Sequence, residues 1–409
     1  MKKGVLLING ILPPPYGGIA KYLSWFVDEY QKELDLFLVY PDGYTIDEYI
    51  LNKYSKLNIF LTNKTKIGKT ITIIKYSKFI IETYLKYKIP FRHIIKSVYT
   101  WLPHTDLIIK NNLDRIDYIH VFDQPFVHGF IGLYLANKYN KKSILQTYGE
   151  IFPHEKELVT YDAYSIQFQG FVSDIVFGYD QIASMTNHCA KELLRIDYSL
   201  KKVKFIHHVT GPLTYDKLND ESDIEFNFPS NKKMVLFVGQ LQRRKGPDIL
   251  LGAAIELLKQ RDDVYFAFAG PDSGLYDEMI KSSSSNTDSI FILGSVTDSQ
   301  LYTLYDKCDI FVFPTVSNIE CLGLVFIQAM FFKKPVIASS IAACPEVIGK
   351  EEFGLLFTPG LENELRKKII YLLDNPEKAE DIGENGYKRV KELYSINVLR
   401  NQIKELYSL

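Results

Sequence analysis

The sequence predicts an α/β protein made of two doubly wound parallel-sheet domains. Short apolar runs alternate with segments of helical period along most of the chain, the pattern of strands joined by crossover helices. The alternation stops at a polar, acidic stretch, residues 215–231, and then begins again. A chain of 409 residues is long enough for two such domains.

Residues 4–8 (GVLLI) read as the first strand, and Ile19, Leu23, Phe26, Val27 and Tyr30 recur at helical spacing behind it. Further strands are expected at 35–40, 117–122, 142–147, 181–185 and 203–207. After the acidic stretch the strands are 234–239, 264–269, 290–293, 309–313 and 335–338. Leu250, Ala253, Ala254, Leu257 and Leu258 mark one face of the helix after the first of these. Residues 376–409 read as helices. The expected division is 1–212, 213–390, and a terminal helix in 391–409 packing back on the first domain. In such sheets ligands bind beyond the carboxyl ends of the strands, so two facing sheets are expected to share a central cleft.

Composition narrows the function classes. Lys plus Arg is 48 against 49 for Asp plus Glu, so the chain as a whole is no polycationic nucleic-acid coat. No nucleic-acid module is recognisable. The N-terminus has Lys2 and Lys3, but Asn9, Gly10 and three prolines interrupt the apolar run, which favours a strand over a signal peptide. No run reaches the roughly 18–20 apolar residues a membrane span needs. Cys189, Cys308, Cys321 and Cys344 have no C-x-x-C spacing and are expected as buried free thiols in a reducing cytoplasm.

Three segments carry candidate chemistry. Gly17 and Gly18 lie between the first strand and its helix, where bare backbone and free N–H groups suit a phosphate; a tight turn explains them as well. FVGQLQRRKG (237–246) repeats the arrangement: a strand ends at Gly239, and Arg243, Arg244 and Lys245 precede a helix that begins near Gly246. Lys245 stands where an ammonium could meet a diphosphate, although a solvated basic loop has the same composition. In PTVSNIECLGLVFIQAM (314–330) a loop carries Glu320, and Gly323 and Leu324 open an apolar helix. Gln328 lies eight positions after Glu320, about two turns along. A carboxylate and an amide can together bind sugar hydroxyls; the alternative is a charge complementing the helix dipole and a packed amide.

Together these segments resemble a family 4 retaining glycosyltransferase of the GT-B fold, among the glycosyl transferases group 1. The family pattern P-S-x-x-E-x-F-G-x-x-x-x-E-A followed by a K/P-V-I-A strand is matched by residues 314–330 and by Lys334, Pro335, Val336, Ile337 and Ala338. Its G-R-L-x-x-x-K-G is matched by Gly239, Gln240 and Leu241 through Lys245 and Gly246. Its N-terminal glycine loop is matched by Gly17 and Gly18, and a glycine that follows a strand of the second domain by Gly270. Three positions depart from the pattern: Gln328 stands for the second glutamate, Gln240 for the usual arginine, and Tyr148 for the reaction-centre histidine, with Glu150 and His154 nearby.

The resemblance implies a retaining, metal-independent hexosyltransferase, and no D-x-D is present to hold a metal. Its donor is a nucleoside diphosphate sugar, with no cofactor. The acceptor is lipid-linked or a glycan, as in bacterial cell-surface polysaccharide biosynthesis. Glu320 and Lys245 are the expected catalytic residues. Gly17, Gly18, Gly239, Arg243, Arg244, Gly270, Gly323, Leu324, Gln328, Tyr148, Glu150 and His154 are expected to bind substrate. The rival reading is a pseudo-transferase that binds nucleotide sugar, or stabilises a partner transferase, without turnover.

Residues 51–105 hold eleven cationic side chains, ten Lys and Arg92, against one carboxylate, Glu82. Tyr76, Phe79, Tyr84, Tyr87, Phe91 and Trp101 are interleaved. A basic, aromatic stretch of this kind suits an anionic membrane surface, and the expected location is cytoplasmic, peripheral on the inner face of the plasma membrane. A solvated helix face is the alternative.

Overall fold

Runs of Val, Ile, Leu, Phe and Ala without polar alternation become strands covered on both faces, as parallel sheets require. The computed structural model describes residues 2–8, 18–40, 57–61, 66–122, 129–147, 169–194, 203–206, 226–286, 288–318 and 320–409. The chain divides into two units, Met1–Ile206 and His207–Leu409.

The first unit contains β1 (Lys3–Ile8), α1 (Gly18–Tyr30), β2 (Leu34–Tyr40), β3 (Asn58–Leu61), α2 (Lys66–Lys75), α3 (Ser77–Tyr87) and α4 (Phe91–Asn111). These are followed by β4 (Tyr118–Phe122), α5 (Phe130–Tyr139), β5 (Lys142–Gln146), α6 (Gln169–Gly178), β6 (Gln181–Ser184), α7 (Asn187–Leu194) and β7 (Val203–Phe205). The strands form one seven-stranded sheet in the order β3-β2-β1-β4-β5-β6-β7. Every neighbouring pair is parallel.

The second unit contains β8 (Lys233–Val238), α8 (Pro247–Leu258), β9 (Val264–Ala269), α9 (Tyr276–Ser283), β10 (Ile290–Gly294), α10 (Asp298–Lys307) and β11 (Ile310–Phe313). After these come α11 (Leu324–Phe331), β12 (Val336–Ser339), α12 (Cys344–Ile348), β13 (Leu355–Phe357), α13 (Glu362–Asp374), α14 (Pro376–Tyr394) and α15 (Ile396–Tyr407). Its six strands run β10-β9-β8-β11-β12-β13, again all parallel. The order reverses between β8 and β11, so the loops leaving these two strands lie side by side at the carboxyl edge, the place where open α/β sheets hold ligands.

Two strands escape the sequence pattern, β3 and β13, and both are short edges of their sheets. Four and three residues carry no readable period. What holds β3 is tertiary: the Asn58 amide donates to the Leu36 carbonyl (3.2 Å) and to Asp35 (3.3 Å) on β2. Cys308 and Cys344 are buried free thiols. Cys189 and Cys321 are not free thiols, which corrects the expectation for those two; it rested on the absence of C-x-x-C spacing, which does not speak to cysteines far apart in sequence. Among the described residues no helix is long and apolar enough to cross a membrane.

The helical layer of the first unit is pinned by one carboxylate. Asp106 on α4 is 4% exposed and pairs with Lys75 (3.0 Å) and with Lys138. The hydroxyls of Tyr76 (2.7 Å) and Tyr139 (2.8 Å) donate to it as well. Burial pushes its pKa up, but the hydrogen bonds from Lys138, Tyr76, Tyr139 and Lys75 outweigh this and bring it down to about 2. A carboxylate depressed in this way contributes stability above its unfolded pKa of about 3.9 and loses it as pH falls towards about 2. Asp106→Asn should therefore cost about 1–3 kcal/mol at neutral pH. The deficit should shrink as pH falls from about 4 to about 2. Denaturant unfolding of both proteins across that range measures it, and an equal deficit at both ends would refute the role.

Candidate functional site

At the carboxyl edge of β8 the chain must leave a fully buried strand and enter α8 within a few residues. It does so through Gly239, a single 3₁₀ turn over Arg243–Lys245, and Gly246 in the left-handed region (φ +72°). The turn closes with the Lys245 N–H donating to the Gln242 carbonyl and the Gly246 N–H to the Arg243 carbonyl, both at 2.9 Å. Pro247 then starts α8, where its missing N–H costs nothing.

The loop leaving β11 is stitched to this turn. The Arg244 carbonyl accepts from the Val316 N–H (3.0 Å) and from the Thr315 hydroxyl (2.9 Å). The approach is so close that a Cβ at Gly246 would lie 1.9 Å from the Pro314 carbonyl oxygen. Gly270, leaving β9, presses on the same corner from the other side: a Cβ there would lie 1.9 Å from the Gly239 carbonyl oxygen. Both glycines are thus required by the close approach of backbones.

This stitching brings Lys245 and Glu320 together. Their side chains form an ion pair, and they are only 17% and 16% exposed. The Lys245 ammonium also stands 5.8 Å from the centroid of the Phe313 ring. The Glu320 carbonyl accepts from the Ala343 N–H (3.2 Å), which ties the loop to the start of α12. Cys344 follows; burial, and then the Glu320 charge, push its thiol pKa up, so it stays protonated beside the pair. Gly323, in the left-handed region (φ +71°), caps α11, whose N-terminus starts immediately after it at Leu324.

The remaining expected residues separate. Arg243 turns away into ion pairs with Asp248 (3.1 Å) and Glu278 (2.7 Å), which raise its pKa, Glu278 most. That engagement fits a brace for the turn. The Gln240 side chain accepts from Gln242. Gln328 on α11 accepts at Oε1 from the Tyr305 hydroxyl (3.1 Å). Burial holds the Tyr305 pKa far above its ordinary value, so that hydroxyl keeps its proton and donates. Gln328 is therefore at least in part a packed amide. Gly18 opens α1; Gly17, Tyr148, Glu150 and His154 lie outside the described residues.

Sequence reasoning missed Thr315 and Tyr305. Thr315 could have been read from its place in the motif, directly after the strand. Tyr305 lies on a different helix from the amide it fixes, and no local signal marks it.

Residues 219–389 match the family described as Glycosyl transferases group 1. An uncharacterized glycosyltransferase of Methanocaldococcus jannaschii is 26% identical over 93% of this chain and 92% of its own length. A D-inositol 3-phosphate glycosyltransferase of Segniliparus rotundus is 29% identical over 40% of this chain, covering 37% of that protein. Among solved structures, a glycosyltransferase from Rickettsia africae superposes with a TM-score of 0.69 at 20% identity, over 99% of this chain and 98% of that one. The Anabaena protein HepE, crystallised with UDP and glucose, superposes with a TM-score of 0.69 at 16% identity over the full length of both chains. The fold is that of the GT-B glycosyltransferases, and the second unit carries the group 1 match.

Gly246→Ala should displace the turn from the β11 loop, because both the left-handed backbone and the contact with Pro314 forbid a side chain. A loss of about 1–3 kcal/mol is expected. Thermal unfolding of the variant checks it, and an unchanged midpoint would show that the two loops need not meet so closely.

Proposed function

We propose that this protein is a retaining hexosyltransferase, taking a sugar from a nucleoside diphosphate donor to a lipid-linked or glycan acceptor on the cytoplasmic side of a membrane. The observation that carries the reading is the half-buried Lys245–Glu320 pair, set where the loops after β8 and β11 meet beside the first turns of α8 and α11. A departing diphosphate needs positive charge in a site of low dielectric. Lys245 supplies a point charge there, and the α11 N-terminus after Gly323 supplies N–H dipoles. Glu320, released from Lys245 as the diphosphate takes the ammonium, is positioned to accept from donor sugar hydroxyls. The similarity to group 1 glycosyltransferases and the UDP-bound HepE structure support a nucleotide donor. An acceptor carried on a lipid agrees with the positive charge of segment 51–105. Retention of both Lys245 and Glu320 favours turnover over a pseudo-transferase.

Stabilisation by UDP, GDP, ADP and their sugars in a thermal-shift panel tests the donor class directly, because a ligand that binds the folded state raises its melting point. Failure of every nucleotide to stabilise the protein would overturn the reading. Lys245→Ala should weaken nucleotide-sugar binding more than Arg243→Ala, since Arg243 is already held by Asp248 and Glu278. Calorimetric titration decides between them, and equal losses would remove Lys245 from the phosphate site.

Glu320→Gln should lower turnover by one to two decades, the worth of a lost charged hydrogen bond of about 1.5–3 kcal/mol. Gln328→Glu should keep activity, because a carboxylate still accepts from Tyr305. Gln328→Ala should raise the donor Michaelis constant and also destabilise by about 1–3 kcal/mol, since it strands the Tyr305 hydroxyl. Donor kinetics with parallel melting curves separate these effects. Full activity in Glu320→Gln would refute its catalytic role.

A further inference from the structure

The segment α2–α3 is anchored by one face and yet apolar on the other. Its inner face is complete. Thr72, Tyr76, Ile80 and Thr83 are buried, and Phe79 packs against Phe130 (5.7 Å between centroids) and Tyr134 (4.2 Å). Tyr87 meets Phe171 edge-on at 4.7 Å. The helical hydrogen bonding runs almost unbroken from one helix to the next, Tyr76 N–H to Thr72 and Ile80 N–H to Tyr76, both 3.0 Å. The outer residues therefore keep a common helical spacing: Ile71, Ile74, Lys78, Ile81, Leu85 and Lys88 follow one another at intervals of three or four.

A helix satisfied on its inner face ordinarily turns polar residues outward. Here the outward aliphatics are well exposed: Ile71 59%, Ile74 68%, Ile81 47% and Leu85 59%. Phe91, at the start of α4, is 41% exposed and is stacked on Tyr84 at 4.2 Å. Aliphatic side chains grouped in this way mark a surface that is covered in use.

The charge around them identifies the cover. Lys75, Lys78, Lys86, Lys88, Arg92 and Lys96 are interleaved with these residues along the chain, and Glu82 is the one acid among residues 70–105. Asp106 is shared between Lys75 and Lys138, so one carboxylate answers two cations. Lys86 is paired with Asp174 (2.5 Å), while Lys78 reaches Glu82 only at 3.9 Å. A second copy of this chain would bring the same cations against these and be repelled. Nucleic acid would meet the lysines but leave the isoleucines in water. A bilayer with anionic headgroups offers negative charge at the surface and hydrocarbon just beneath it.

We propose that the outer face of α2–α3, with Phe91, lies on an anionic lipid surface, the aliphatics entering the headgroup boundary and the lysines pairing with phosphates. The proposal deepens the reading of a lipid-linked acceptor and rests on it for its purpose, but its test needs no donor and no turnover. Full-length protein should float with vesicles containing phosphatidylglycerol, float far less with phosphatidylcholine alone, and release at high salt. Combined Ile74→Ser, Ile81→Ser and Leu85→Ser should weaken binding about tenfold or more, with melting point and far-ultraviolet circular dichroism unchanged. Lys78→Glu with Lys88→Glu should weaken it to a similar degree and flatten the salt dependence. Absence of binding to anionic vesicles, or binding that neither variant alters, would overturn the proposal. Concentration-dependent dimerisation in sedimentation, abolished by the serine variant, would overturn it in favour of a second copy. A nucleotide-stabilised protein that does not float would leave the transfer reaction standing and remove this surface alone.

Discussion

The parallel pairing of β8 with β11 is the constraint on which the candidate site depends. These strands are neighbours in the sheet but far apart in sequence, and the strand order reverses between them. Their loops therefore emerge side by side, with no helix between. Once side by side they must share space, and the sharing falls on backbone. The Arg244 carbonyl takes two donors from the opposite loop, and Gly246 lies flat against Pro314. The frame of the site is therefore built largely from main-chain contacts.

Within that frame the Lys245–Glu320 pair has a double character. Two charges withdrawn from water recover part of the desolvation cost by pairing, but such pairs seldom add much to stability. Under the proposed function each holds the other in place until a donor arrives with charge of its own. The surroundings agree with this. Arg243, two positions before Lys245 in the same turn, has its own acidic partners and braces the helix. Gln328 is fixed by a buried tyrosine that keeps its proton.

The first unit spends its basic residues differently. Part of its positive charge is turned inward, where Lys75 and Lys138 converge with two tyrosines on Asp106 and clamp three helices. Lys78 and Lys88 are turned outward beside exposed aliphatic side chains. One stretch of sequence thus serves both cohesion and surface chemistry, and the two uses are separated by which helical face a residue occupies.

The amino-acid sequence by itself determined the two-sheet architecture, because strands buried on both faces must be continuously apolar and crossover helices must be periodic. It also determined the two loops that matter, since glycine at 239, 246, 270 and 323 is a backbone requirement visible residue by residue. It did not reveal β3 and β13, whose few residues are strands by virtue of their neighbours. Nor did it reveal that Lys245 pairs with Glu320 while Arg243 does not, or that Tyr305 governs Gln328. Composition places three cations in a row; only the turn decides which of them points at the opposite loop. The tertiary structure made those choices because contacts between segments distant along the chain depend on strand order, and strand order leaves no trace in any local window of sequence.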